Sequence, residues 1–127
     1  MRAENRKNLE EKRGKRYKDI SGKYWSSIKH AAKRRNVPFS LTLEEAWEKF
    51  LQQERKCAMT GIELSLKTLK GKENKYTASL DRIDNTKGYT VTNVQWLHKD
   101  VNWMKGKFEL HYFIELCKAV AEYKKVL

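Results

Sequence analysis

The sequence predicts a small α+β fold in which a strand, a loop, a second strand and a helix form one ββα unit packed among flanking helices. Two observations carry that prediction. Apolar residues recur at helical spacing in three stretches, residues 21–35, 43–51 and 108–123. Between the second and third, Tyr76–Leu80 and Val94–Leu97 are short β-forming and apolar runs around a turn-rich segment, Asp84-Asn85 with Gly88. Helix-tolerant residues follow from His98, with Val101, Met104 and Lys105 at helical spacing. At 127 residues the chain is long enough for one domain with a single modest core.

Residues 1–20 hold few apolar side chains, which predicts a basic, flexible arm ahead of a single domain at 21–127. Up to Arg35 the chain has 13 Lys and Arg against four Asp and Glu, a net of +9 out of +12. Ser21-Gly22 opens an amphipathic helix with Tyr24, Trp25, Ile28, Ala31 and Ala32 on one face and Lys23, Lys29, His30, Lys33 and Arg34 largely on the other. Asn36-Val37-Pro38 ends it, because the residue before a proline is pushed out of the α region. Thr42 and Glu45 form a capping-box pair, and Leu43, Ala46, Trp47, Phe50 and Leu51 make the core-facing stripe of the next helix. Residues 66–75 read as an exposed, lysine-rich loop. After the ββα unit, Leu110, Phe113, Ile114, Cys117, Val120 and Ala121 mark the buried stripe of a last helix.

With 28 Lys and Arg against 16 Asp and Glu, the net charge of +12 predicts a polyanionic partner, nucleic acid foremost. Arg13, Lys15 and Arg16 in the arm and Lys29, Lys33 and Arg34 on the first helix are the candidate phosphate contacts. A solvated charged face is the alternative for that helix. No apolar run approaches a membrane span and the N-terminus is too charged for a secretory signal, which predicts a cytoplasmic protein without a membrane partner. Cys57 and Cys117 are too few for a disulfide framework or a four-cysteine zinc site.

Asp81-Arg82 ending the first strand, Asn93 in the loop, Asn102 on the helix and Lys105 beyond, with Gly88-Tyr89 between, resemble the HNH endonuclease motif, also called the ββα-metal or His-Me finger. The resemblance spans residues 55–107, with the finger core at 76–107, and is to small stand-alone members found in bacteriophages and other mobile elements. Many members buttress the finger with zinc on two Cys-x-x-Cys pairs. Here those places read Cys57/Thr60 and His98/Val101, so two ligands are missing and no structural zinc is expected. The catalytic His of the family is replaced by Arg82.

The resemblance implies a divalent-metal-dependent endonuclease of double-stranded DNA. Asp81 and Asn102 would hold Mg²⁺ or Mn²⁺, Asn93 would tie the loop so that position 82 is aimed, and Lys105 would lie near the phosphates. A carboxylate and an amide oxygen suit a hard cation whose remaining positions go to phosphate and water. Arg82 cannot be the general base, because a guanidinium stays protonated. Three readings follow: Arg82 clamps the scissile phosphate while the base lies elsewhere; the enzyme is a slow or nicking nuclease; or catalysis is lost and the protein only binds DNA or RNA. Asp84 is the candidate substitute base, set against its ordinary role as a turn former. His30, His98 and His111 have no tie in the sequence to Asp81.

Overall fold

A computed structural model describes residues 16–66 and 76–125. Among the described residues the fold is α+β, with four helices and one antiparallel hairpin: α1 (Gly22–Arg34), α2 (Leu43–Gln52), β1 (Ala78–Arg82), β2 (Val94–His98), α3 (Lys99–Lys105) and α4 (Leu110–Lys124). Arg13 and Lys15 of the arm, and the lysine-rich loop from 67 onward, lie outside the described residues. Tyr17 and Ile20 form a bridge and Ile20 is fully buried, so core packing begins inside the segment expected as an arm. No helix among the described residues is long and apolar enough to cross a membrane.

The first two helices follow from their sequences. Ser21 caps α1, its hydroxyl accepting from the Tyr24 amide at 3.1 Å. The capping box of α2 is formed in both directions, Glu45 N–H to Thr42 Oγ1 at 3.1 Å and Thr42 N–H to Glu45 Oε1 at 2.9 Å. Trp25 and Ala32 of α1 and Ala46, Trp47 and Phe50 of α2 are buried, whereas Leu51, expected in the same stripe, is exposed. The core is built on Trp96: Phe50 meets its ring edge-on at 5.8 Å, and its indole N–H donates to Ala46 O at 2.9 Å.

In the hairpin, Ala78 pairs with His98 and Arg82 with Val94. Alternation along the strands sends Leu80 and Trp96 to the core and leaves Ser79, Asp81, Gln95 and Leu97 on the face that α3 covers. A two-stranded sheet has two open edges, and side chains close both. Gln53 accepts from Trp96 N–H and donates to Trp96 O, each at 2.9 Å, while the Tyr24 hydroxyl donates to Ala78 O at 2.6 Å on the other side. Burial pushes the Tyr24 phenol well above its ordinary pKa, so it stays a donor.

The loop between the strands is fastened to the segment before α2. Phe39 and Tyr89 form a parallel bridge, with Tyr89 N–H donating to Pro38 O at 2.9 Å and Ser40 N–H to Tyr89 O at 3.0 Å. This approach requires glycine at 88: a Cβ there would lie 2.5 Å from Pro38 O and 2.9 Å from Pro38 Cβ. Gly88→Ala is therefore expected to destabilise the protein by about 1–3 kcal/mol, the usual range for overpacking against atoms that cannot move freely. A urea midpoint equal to that of the wild type would contradict this contact.

The last helix departs from expectation. Of the stripe predicted to be buried, only Phe113 is; Ile114, Cys117 and Val120 are exposed, and among the described residues α4 makes no extensive contact with any strand or other helix. Helical periodicity identifies which face is apolar, but not whether the rest of the chain supplies a surface to cover it.

Candidate active site

A cleft of about 970 Å³ runs between α1 and the ββα unit. Asp81, Arg82 and Asn102 all line it. Asp81 is only 6% exposed, and both of its oxygens are engaged: Lys105 Nζ lies 3.2 Å from Oδ1, and Gln95 Nε2 donates to Oδ2 at 2.9 Å. Gln95 is its direct cross-strand partner, so antiparallel register sets the second contact. Lys105 is 0% exposed and does not line the cleft; its ammonium reaches Asp81 from the interior and also lies 3.4 Å from Arg82 O.

Asn102 comes from the same face of α3 as Lys105, three residues earlier. Its Nδ2 donates to Ser79 Oγ at 2.7 Å. Ser79 and Asp81 share one face of β1 at a separation of roughly 6–7 Å. Helix spacing on α3 thus matches strand spacing on β1, and the pair Asn102/Lys105 lies over the pair Ser79/Asp81.

Asn93 is buried and ties the loop as the family resemblance implies. Its Oδ1 accepts from Asp84 N–H at 2.9 Å, and its Nδ2 donates to Asp84 O at 3.0 Å and Gly88 O at 2.9 Å. Arg82 braces the same loop: its Nη1 donates to Asn85 O at 2.9 Å and Lys87 O at 2.8 Å, and the guanidinium lies 5.5 Å from the centre of the Tyr89 ring. Asp84 is occupied by the turn, with Oδ1 accepting from the Thr86 hydroxyl at 2.6 Å and the Thr86 amide at 2.9 Å. Those bonds, the hydroxyl's first, hold its carboxyl below the usual range, and it does not line the cleft. Both features work against the role of substitute base.

Of the predicted phosphate contacts, Lys105 is corrected: a fully buried ammonium paired with Asp81 cannot reach a phosphate. The reason is the face of α3 on which it falls. Lys29 and Lys33 line a separate, shallower depression with His30, not the cleft. Arg34 is exposed, and Arg16 Nε donates to Lys18 O at 2.9 Å. Besides Arg82, three cations among the described residues line the cleft that the sequence did not single out: Arg35, Lys99 and Lys107. Arg35 also donates to the Tyr89 hydroxyl at 3.1 Å.

The residues at the zinc-like positions have other work. Burial pushes the Cys57 thiol up, but hydrogen bonds from the Thr60 hydroxyl and from the amides of His98, Met59 and Thr60 bring it below its ordinary value. His98 caps α3, its Nδ1 accepting from Asp100 N–H at 3.1 Å. Among the described residues no group of three or more His, Cys, Asp or Glu is placed to hold a metal.

No protein-family model matches the chain, and no curated protein or solved structure matches it.

Proposed function

We propose that the protein is a divalent-metal-dependent DNA endonuclease of the HNH type, with its reacting phosphate in the cleft beside Asp81. The observation that carries this is the position of the Asp81 carboxylate: set at the cleft by a ββα unit, held on its inner side by Lys105 and Gln95, with Asn102 on the same face. A carboxylate oxygen pair offers about four lone-pair sites, of which two are used here. Asn102 uses its amide nitrogen on Ser79, and its Oδ1 accepts from no described residue. A carboxylate and an amide oxygen form a hard donor set that fits Mg²⁺ or Mn²⁺, with phosphate and water as the other ligands. Asp81 and Asn102 would hold the ion, which when bound supplies charge stabilisation at the scissile phosphate.

The chain's own residues do the rest. Lys105 and Gln95 fix the rotamer of Asp81, and Asn93 and Arg82 hold the loop from 84 to 88 in one shape. Arg35, Lys99 and Lys107 place positive charge along the cleft for phosphates. Arg82 has Nη1 committed to the loop, while Nε and Nη2 donate to no described residue and are the donors left for a phosphate oxygen. None of His30, His98 and His111 lines the cleft, so histidine general-base help, typically worth about 10²–10⁴-fold, is missing. That observation favours a second reading, a DNA- or RNA-binding protein without catalysis.

Single-turnover cleavage against pH separates these readings. The wild type is expected to cut slowly, with no inflection at about pH 6–7, and Arg82→His is expected to introduce one. Arg82→Ala should lower stability by about 1–3 kcal/mol through loss of two loop hydrogen bonds and the contact with Tyr89. A histidine-like inflection in the wild type would contradict the assignment.

A further inference from the structure

Three of the four tryptophans, Trp25, Trp47 and Trp96, are at most 8% exposed; Trp103 is 85% exposed. It stands on α3 beside Asn102 and lines the cleft. Lys99 is four residues before it, hence on the same side of the helix, and Lys107 follows just past the helix end. Arg35 lines the same cleft from the end of α1. Asp100 partly offsets Lys99, at 3.1 Å, but the only acid among the described residues that lines the cleft is Asp81, already paired with Lys105. An indole exposed to water between cations and beside a cleft without free negative charge is suited to a ligand that is both polyanionic and flat-faced.

A duplex hides the faces of its bases in its own stack, whereas an unpaired strand offers them. A cleft of about 970 Å³ is at the upper end of small-ligand sites and has room for a short length of one strand. We infer that the cleft takes an unpaired DNA strand, with one base stacked on the Trp103 indole and the neighbouring phosphates held by Lys99, Lys107 and Arg35. This rests on the nucleic-acid reading of the cleft, and it adds that the preferred substrate has single-stranded character at the site of contact. Base–aromatic stacking tolerates any sequence, so the recognition is of strand state and not of base identity.

The test is fluorescence anisotropy with full-length protein in EDTA, using a short oligo(dT), the same sequence as RNA, and a hairpin duplex. Because Trp103 is so exposed, its replacement does not threaten the core. Trp103→Ala is expected to weaken oligo(dT) binding about ten-fold and to leave duplex binding within about two-fold, while Trp103→Phe restores most of the loss. Oligo(dT) should also quench the wild-type tryptophan emission and not that of Trp103→Ala. Undiminished oligo(dT) affinity in Trp103→Ala, or tighter binding of the RNA, overturns the inference while leaving a DNA-binding cleft intact. Absence of binding to every nucleic acid by the wild type overturns both.

Discussion

Lys105→Met is expected to destabilise the protein by about 3–5 kcal/mol, a large share of the roughly 5–15 kcal/mol that holds a domain of this kind folded. Lys105 is 0% exposed, Asp81 is 6% exposed, and their charges lie 3.2 Å apart. Removing the ammonium leaves a carboxylate buried with only Gln95 as a donor, and an uncompensated buried charge costs more than the pair contributed. The double variant Asp81→Leu/Lys105→Met removes both charges and should recover most of the loss, since apolar groups of similar volume replace such pairs with little cost. Urea unfolding at constant m-value reads both effects. A single variant within about 1 kcal/mol of the wild type would show that the ion pair does not set the geometry of the site.

Asp81→Asn is expected to lower single-turnover cleavage on the order of 10³-fold, the equivalent of the several kcal/mol that a positioned metal contributes. DNA affinity should hold within a few-fold, because Arg35, Lys99 and Lys107 face the cleft together with Arg82 and none of the four is paired with Asp81. The structure adds a condition that the motif did not show. Asp81→Asn also strands Lys105, so loss of activity must be read on protein shown to be folded at the assay temperature. The double variant supplies that control, with the fold kept and the carboxylate gone. Cleavage by a folded Asp81→Asn at the wild-type rate would remove Asp81 from the site.

Features set by neighbouring residues were legible in the sequence. The Thr42/Glu45 capping box, the stripes of α1 and α2 apart from Leu51, and the turn at Asp84 depend on contacts within a few positions, and each formed. Asn93 was legible only through the family resemblance, yet its three loop hydrogen bonds match that expectation. Features that depend on register between distant segments were not legible. Gln53 closing the edge of β2, Gln95 meeting Asp81 and the exposure of α4 follow from how elements are placed, which composition and period do not encode. Lys105 is the instructive case. Its charge suggested the surface, but three residues along a helix cover about the same distance as two along a strand, so Asn102 and Lys105 on one face of α3 lie over Ser79 and Asp81 of β1. Trp103 carries no signal in the sequence that sets it apart from the other tryptophans, and only its 85% exposure does so.

The most direct measurement is the conversion of supercoiled plasmid by purified full-length protein in Mg²⁺, in Mn²⁺ and in EDTA. The predicted result is slow formation of nicked or linear product with either metal, none in EDTA, and none with folded Asp81→Leu/Lys105→Met. Plasmid that stays supercoiled in both metals while the protein binds it would contradict the endonuclease claim and leave nucleic-acid binding as the function.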